Sequence, residues 1–184
     1  LQLVGFAWFA TNGLYRRMPT PFRHAFSEGV AYLAGNTAGG QVRFRTDSPR
    51  VAVRATLAAC HDMDHMPATG QGGFDCYVGQ RFVGVTRFSR DAAEYESVIM
   101  SAAAPELRDI TINFPLYQSV REVYIGLDDG AQVLPPPPFA DDRPVVVYGT
   151  SITQGGCANR PGMAYPALVG RALDVPIINL GFSG

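Results

Sequence analysis

The amino-acid sequence predicts a mainly β protein. A jelly-roll-like β-sandwich comes first, and the first βαβ unit of an α/β domain follows it. Three observations support this prediction. Short alternations of apolar and polar residues fill the chain up to about Val133, four consecutive prolines follow at Pro135–Pro138, and two continuous apolar runs come after them. Alternation is typical of half-buried strands, whereas a continuous run is typical of a strand buried in a parallel sheet.

The alternations place the strands of the first domain. In Gln41–Arg45, Val42 and Phe44 point to one face while the two arginines point to the other. Glycine-rich breaks separate the runs, and we see no convincing amphipathic helix among them. The same period of two recurs in three further runs: Val51/Val53/Ala55/Leu57, Ile110/Ile112/Phe114 and Val123/Ile125/Leu127.

The proline run marks the domain boundary. Four prolines cannot enter a sheet interior and form a stiff, extended spacer. We therefore divide the chain into a β-sandwich domain at 1–134, a linker at 135–144 and a short α/β unit at 145–184. In this unit Val145–Tyr148 and Pro176–Leu180 are predicted to be buried parallel strands, with a helix over Met163–Leu173 between them.

Composition excludes several classes of partner. Hydrophobic residues make up 47% of the 184 residues, charged residues make up 17%, and the formal net charge is −1. The fifteen basic residues, all arginine, are scattered, so we expect no nucleic-acid partner. No run approaches the roughly 18 apolar residues of a membrane span, and the chain shows no signal peptide, so we expect no membrane partner.

The cysteines suggest neither a zinc ribbon nor a dense disulfide framework. Cys60, Cys76 and Cys157 are odd in number and lack CxxC spacing. A Cys60–Cys76 bridge stays open, because spacing alone does not supply the geometry.

Ser151 is the candidate nucleophile. The first apolar run ends in Gly149-Thr150-Ser151, which places a hydroxyl beyond the carboxyl end of a parallel strand, where open α/β sheets bind ligands. The second run ends at Gly184 on the same rim. The backbone N–H groups of Ser151 and Gly184 could then form an oxyanion hole. Alternatively, Thr150 or Ser151 only caps the following helix.

Several motifs together resemble the SGNH (GDSL-like) hydrolases. Val147–Ala158 looks like their first block, although Thr150 replaces the usual Asp, and Asn179–Gly184 is similar to their second block. Upstream, Gly73-Phe74-Asp75-Cys76-Tyr77 fits the Gly-x-Asp-x-Tyr signature of a β-sandwich found before some bacterial SGNH domains. The stretches His65–Gly73 and Arg160–Tyr165 also look like that two-domain subfamily.

This resemblance implies a serine esterase or deacetylase that acts on an acylated carbohydrate, chiefly an acetylated one, or on a related small ester. It implies that Ser151 is the nucleophile, that Ser151 and Gly184 donate oxyanion N–H groups, and that no cofactor is needed. The family's Asn block and its Asp-x-x-His are absent from these 184 residues. We therefore expect this fragment of the SGNH domain to be inactive by itself, because a serine without a base is a poor nucleophile.

Further candidate residues have two interpretations each. His61 and His65 flank two acids, which suggests a metal site, but a polar loop is the simpler reading and we expect no bound metal. Asp75 and Tyr77 share one face of a strand, either bordering the ligand and domain interface or anchoring the core. The resemblance implies that a wider group of residues lies near the substrate: Thr150, Thr153, Gln154, His65, Asp75 and Tyr77.

Other functions stay open at this stage. The β-sandwich could be a non-catalytic carbohydrate-binding or interaction module, and the same site could transfer the acyl group to an alcohol, as an acyltransferase does. Two apolar strands cannot bury both faces of the sheet that they form. We therefore expect the α/β unit to dock on the β domain, to self-associate, or to be poorly ordered. The resemblance favours an extracytoplasmic location.

Overall fold

Two antiparallel sheets form the first part of the molecule. The computed structural model describes residues 1–20 and 23–184. One sheet has the strand order β1-β2-β7-β4-β5, with β9 pairing to β2, and the other has the order β6-β3-β8. The strands are β1 Gln2–Val4, β2 Gln41–Thr46, β3 Arg50–Leu57, β4 Asp75–Val78, β5 Arg81–Val85, β6 Glu94–Ser101, β7 Arg108–Asn113, β8 Val120–Leu127 and β9 Val133–Leu134.

The core lies between these two sheets and follows the alternation in the sequence. On β3 the four apolar residues Val51, Val53, Ala55 and Leu57 are all buried, while Arg50 and Arg54, on the alternate positions, are exposed. Phe44 from β2 and Ile110 and Ile112 from β7 meet them from the other sheet. The prediction of a mainly β chain with an N-terminal sandwich is confirmed.

The outer face of the larger sheet carries polar side chains in rows. The register aligns Gln41 with Asn113 and Asp75 across three strands, and Arg43 with Thr111 and Tyr77 in the next row. The alternation predicts that Arg43 faces away from the core, yet it is only 9% exposed. The reason is that the proline-rich segment covers it, since the Phe139 ring lies 3.6 Å from the guanidinium carbon.

Short helices interrupt the β domain, and the sequence patterns predicted none of them. They are α1 Phe9–Asn12, α2 Glu28–Leu33 and α3 Ala68–Gln71. The Ser27 side chain caps α2 by accepting the Val30 N–H at 3.3 Å. Helices of one or two turns leave no 3.6-residue period to detect.

A parallel βαβ unit ends the chain. It contains β10 Val145–Gly149, α4 Ser151–Gln154, α5 Tyr165–Leu173 and β11 Ile177–Gly181. The register pairs Val145 with Ile177 and Gly149 with Gly181. The predicted helix is present with Pro166 in its first turn, where the missing N–H costs no hydrogen bond.

The predicted burial of Val145–Tyr148 on both faces is wrong for this structure. Val146 is 56% exposed and Tyr148 is 83% exposed. The physical reason is that β10 has β11 as its strand neighbour on one side only, so the apolar run lacks the layers that a wider sheet would supply. Self-association through this edge stays a prediction.

Two further expectations can be compared with the structure. All three cysteines are free thiols, so Cys60 and Cys76 do not form a bridge. Within the described part of the chain, no helix is long and apolar enough to cross a membrane.

Candidate active site

Ser151 occupies the first position of α4, directly after the carboxyl end of β10. Its N–H group is therefore among those that have no intrahelical acceptor. The capping interpretation is not supported for Thr150, the exposed residue before it, because this side chain makes no capping hydrogen bond. The half-buried Ser151 side chain stands at the rim of the parallel sheet, as the motif predicts.

The second block lies beside Ser151. The Phe182 N–H donates to the Gly149 carbonyl at 3.0 Å, so the chain after β11 runs past the turn that carries the serine. Gly181 permits this approach, since a Cβ there would lie 2.1 Å from the Gln154 nitrogen. Gly184 follows in the left-handed region (φ +96°) with open space around it. Gly184 thus lies three residues beyond the end of β11, which pairs with the end of β10.

Thr153 and Gln154 connect the two sequence blocks, Val147–Ala158 and Asn179–Gly184, through hydrogen bonds. The Gln154 side chain is fully buried, donates to the Leu116 carbonyl at 3.1 Å and accepts the Ser183 N–H at 3.0 Å. The Thr153 hydroxyl lies 3.0 Å from the Tyr165 hydroxyl, and its carbonyl accepts the Asn179 amide at 2.7 Å. Both side chains are buried and support the loops of the site.

Arg17 reaches from the β domain to the second block. Its guanidinium is only 1% exposed and donates to the Gly181 carbonyl at 2.5 Å and to the Asn179 carbonyl at 3.3 Å. It also donates to the Asn36 and Leu33 carbonyls, both at 2.8 Å. Burial lowers the pKa of Arg17 to about 9, which still leaves the group charged at neutral pH.

Tyr117 is the second contact from the β domain. Its hydroxyl lies 2.7 Å from the Ser183 hydroxyl and donates to the Ser151 carbonyl at 3.3 Å. One phenol therefore contacts both sequence blocks. Burial raises its pKa, which keeps it protonated and able to donate.

Asp75 and Tyr77 lie at the interface between the two domains. Asp75 is fully buried and accepts the Asn113 amide at 2.7 Å and the Gly162 N–H at 2.8 Å, with Arg160 3.6 Å away. The Arg171 guanidinium lies over the Tyr77 ring at 4.1 Å. Burial raises the pKa of Asp75 to about 6 and outweighs these favourable contacts.

The two histidines of the acidic segment have different surroundings. His61 is buried against Phe88, with ring centroids 4.7 Å apart, while His65 is exposed. In residues 1–20 and 23–184, no group of three or more His, Cys, Asp or Glu side chains could hold a metal ion. Met66, directly after His65, packs against Leu116 and Tyr117 beneath the candidate site.

Sequence reasoning missed Arg17 and Tyr117. Neither residue belongs to a motif: Arg17 follows another arginine in an irregular segment, and Tyr117 follows the β7 alternation by a few residues. Both act across the domain interface, and periodicity within one segment does not report such contacts.

Comparison with known families agrees with this arrangement. Residues 1–133 match the family model GxDLY, described as the N-terminus of Esterase_SGNH_hydro-type. The chain belongs to this family. Residues 142–184, which contain Ser151 and the second block, match the GDSL-like Lipase/Acylhydrolase family.

Solved structures show the same fold. A protein described as a GDSL-like lipase from Bacteroides ovatus is 30% identical, with a TM-score of 0.90 over 100% of this chain and 54% of its own. The salicylyl-acyltransferase SsfX3 of a tetracycline biosynthetic pathway is 23% identical, with a TM-score of 0.71 over 91% of this chain and 46% of its own. A family two carbohydrate esterase from Clostridium thermocellum is 16% identical, with a TM-score of 0.59 over 80% of this chain and 46% of its own.

The chain thus spans about half the length of the solved structures that it matches. None of the curated proteins matches it.

Proposed function

We propose that this GxDLY-family chain carries the nucleophile part of a serine esterase that removes acyl groups, chiefly acetyl, from a carbohydrate or a related small ester. The observation that carries the proposal is the position of Ser151 at the start of α4, with the second block held beside it by the Phe182–Gly149 hydrogen bond. A hydroxyl at a strand end with N–H donors around it is the arrangement that acyl transfer needs.

In the proposed reaction the Ser151 Oγ attacks the acyl carbonyl carbon, and the N–H groups of Ser151 and Gly184 stabilise the negative oxygen that forms. The sugar hydroxyl then leaves with a proton, and water releases the acid from the acyl-serine. A base must remove the serine proton. Within the described residues no hydrogen bond reaches the Ser151 hydroxyl, so we propose that the base is a histidine outside the 184 residues, as the family resemblance implies.

Carbohydrate as the alcohol part of the ester substrate is proposed by analogy with structural neighbours, which include a family two carbohydrate esterase in complex with cellohexaose and an acetyl xylan esterase. An extracytoplasmic location would bring the enzyme to such polymers. The SsfX3 structure, a salicylyl-acyltransferase, shows that the fold also occurs in an enzyme named for acyl transfer. Analysis of products in the presence of alcohols separates hydrolysis from acyl transfer.

The test is hydrolysis of 4-nitrophenyl acetate and acetylated xylan by the full-length gene product and by the 184-residue chain. We expect activity in the former, its loss by at least about 1,000-fold in Ser151→Ala, and no activity in the latter. Ser101→Ala, at an exposed serine on β6, is the matched control. Unchanged turnover in Ser151→Ala contradicts the proposal. Binding of acetylated xylan without hydrolysis would instead support a non-catalytic binding module.

A further inference from the structure

A cleft of about 250 Å³ lies between the two domains, away from Ser151. Its floor is the outer face of β2, β7 and β4, and its walls are Pro137–Phe139 and the end of α5. The end of α5 leads into the start of β11, whereas Ser151 follows the opposite end of β10. The five residues of β10 separate the two places by about 16 Å. The cleft is therefore distinct from the candidate active site.

Two guanidinium groups line this cleft, and the surrounding structure fixes both of them. Arg43 lies 3.6 Å from the Phe139 ring centroid and donates to the Pro137 carbonyl at 3.2 Å and to the Gln2 side-chain oxygen at 3.1 Å. Arg171 lies over Tyr77 and donates to the Gly162 carbonyl at 3.1 Å. Each guanidinium has five N–H donors, so each keeps donors for a ligand. Stacking reduces the side-chain freedom that binding would otherwise remove.

Neither guanidinium forms an ion pair with a carboxylate among the described residues. Asp109 pairs with Arg45 at 3.0 Å, whereas Asp174 accepts the Ala140 N–H at 3.1 Å and keeps its charge. Asp142 also attracts Arg43. Burial lowers the pKa of Arg43 despite the attraction of these acids. Among the described residues, the lining thus holds two guanidinium groups and one carboxylate, that of Asp174, which no arginine pairs with in a salt bridge.

The floor supplies hydrogen-bond acceptors in a fixed orientation. The buried Asp75 carboxylate accepts from the Asn113 amide nitrogen, so the Asn113 oxygen faces Gln41 and accepts its Nε2 at 2.8 Å. This order leaves the Gln41 oxygen as an acceptor, and the Thr111 side chain lines the same cleft. The hydroxyl groups of a ligand can donate hydrogen bonds to these acceptors.

We propose that this cleft binds a small hydroxylated carboxylate of the size of one sugar acid, with Arg43 and Arg171 holding the carboxylate and the floor residues accepting from its hydroxyls. Arginine matches the planar geometry of a carboxylate. The volume is near the lower end of small-molecule pockets, which span about 300–1,000 Å³, so a single ring fits better than a chain. The site does not depend on the chemistry of Ser151.

The test is an amide NMR titration of the 184-residue chain with glucuronate, glucose and acetate. Glucuronate should give saturable shifts at Thr111, Asn113 and Gly170, with an affinity at least tenfold above those of glucose and acetate. Equal binding of glucose, or shifts confined to Gly149 and Gly184, would overturn the proposal. The wild-type titration needs no variant and so stands whether or not the variants fold.

Variants test the role of the two arginines. Arg43→Gln and Arg171→Gln should each weaken glucuronate binding at least tenfold. Arg87→Gln is the matched control, because Arg87 is exposed and does not line the cleft. Wild-type affinity in both Arg43→Gln and Arg171→Gln, with folding verified by thermal unfolding, would overturn the assignment.

Discussion

The β-sandwich and the βαβ unit obtain their stability in different ways. In the sandwich, β3 buries every second side chain against strands of the same domain. In the βαβ unit, β10 leaves Val146 and Tyr148 largely exposed. The unit is held to the sandwich by polar contacts from Arg17, Tyr117 and Asp75 and by a small apolar cluster that includes Ala164. The sandwich therefore has a core of its own, whereas the βαβ unit relies on contacts with the sandwich.

The same substitution in the two regions should show this difference most strongly. Leu57→Ala removes a side chain that is 1% exposed in the sandwich core and should lower the free energy of unfolding by about 2–5 kcal/mol. Leu173→Ala, at a residue 60% exposed on α5, should change it by at most about 0.5 kcal/mol. Urea unfolding of both variants checks this, and equal losses would break the comparison.

Removal of the Arg17 guanidinium should loosen the second block. Arg17→Met leaves the buried carbonyls of Gly181, Asn179, Asn36 and Leu33 without their donor, at a cost of about 3 kcal/mol. Hydrogen exchange should accelerate at β11 far more than at β3. Arg87→Met, at an exposed arginine, is the control. Unchanged exchange at β11 would show that the domain contact does not rest on Arg17.

Asp75 should make stability depend on pH. Its folded pKa of about 6 exceeds the unfolded value of about 3.9, so the folded state binds the proton more tightly. Its contribution to the free energy of unfolding is therefore most favourable below about pH 4. As the pH rises through about 6, this contribution falls by up to about 3 kcal/mol.

Asp75→Asn removes this titration. The wild type should gain stability relative to the variant when the pH falls from 8 to 4, as measured by urea unfolding. Asp129→Asn changes one charge at an exposed turn and serves as the control. A pH-independent difference between wild type and Asp75→Asn would contradict the assigned pKa.

Tyr117→Phe should have the smallest effect. It removes one hydroxyl that contacts Ser183 and Ser151, which corresponds to about 1 kcal/mol. We expect faster amide exchange at Ser183, because the loop loses its contact with the β domain. Tyr124→Phe, at a residue 52% exposed on β8, is the control. Equal exchange in the two variants would show that the Tyr117 hydroxyl does not position the loop.

Sequence patterns predicted the features that are local to one segment. The alternation at Val51–Leu57 gave the correct strand and buried face, and the Gly149-Thr150-Ser151 motif gave the strand end that the structure shows. Burial of Val145–Tyr148 was predicted wrongly, because an apolar run reports the environment of a complete sheet and β10 has one neighbour here. Arg43, Arg17 and Tyr117 owe their roles to segments distant in sequence, which no single-segment pattern reports.

Labelling of the full-length gene product with a fluorophosphonate, followed by mass spectrometry of its peptides, tests the central claim most directly. We expect one adduct, on the peptide that contains Ser151, and its absence in Ser151→Ala. An adduct on another serine, or enzymatic activity that persists without any label on Ser151, would contradict the assignment of Ser151 as the nucleophile.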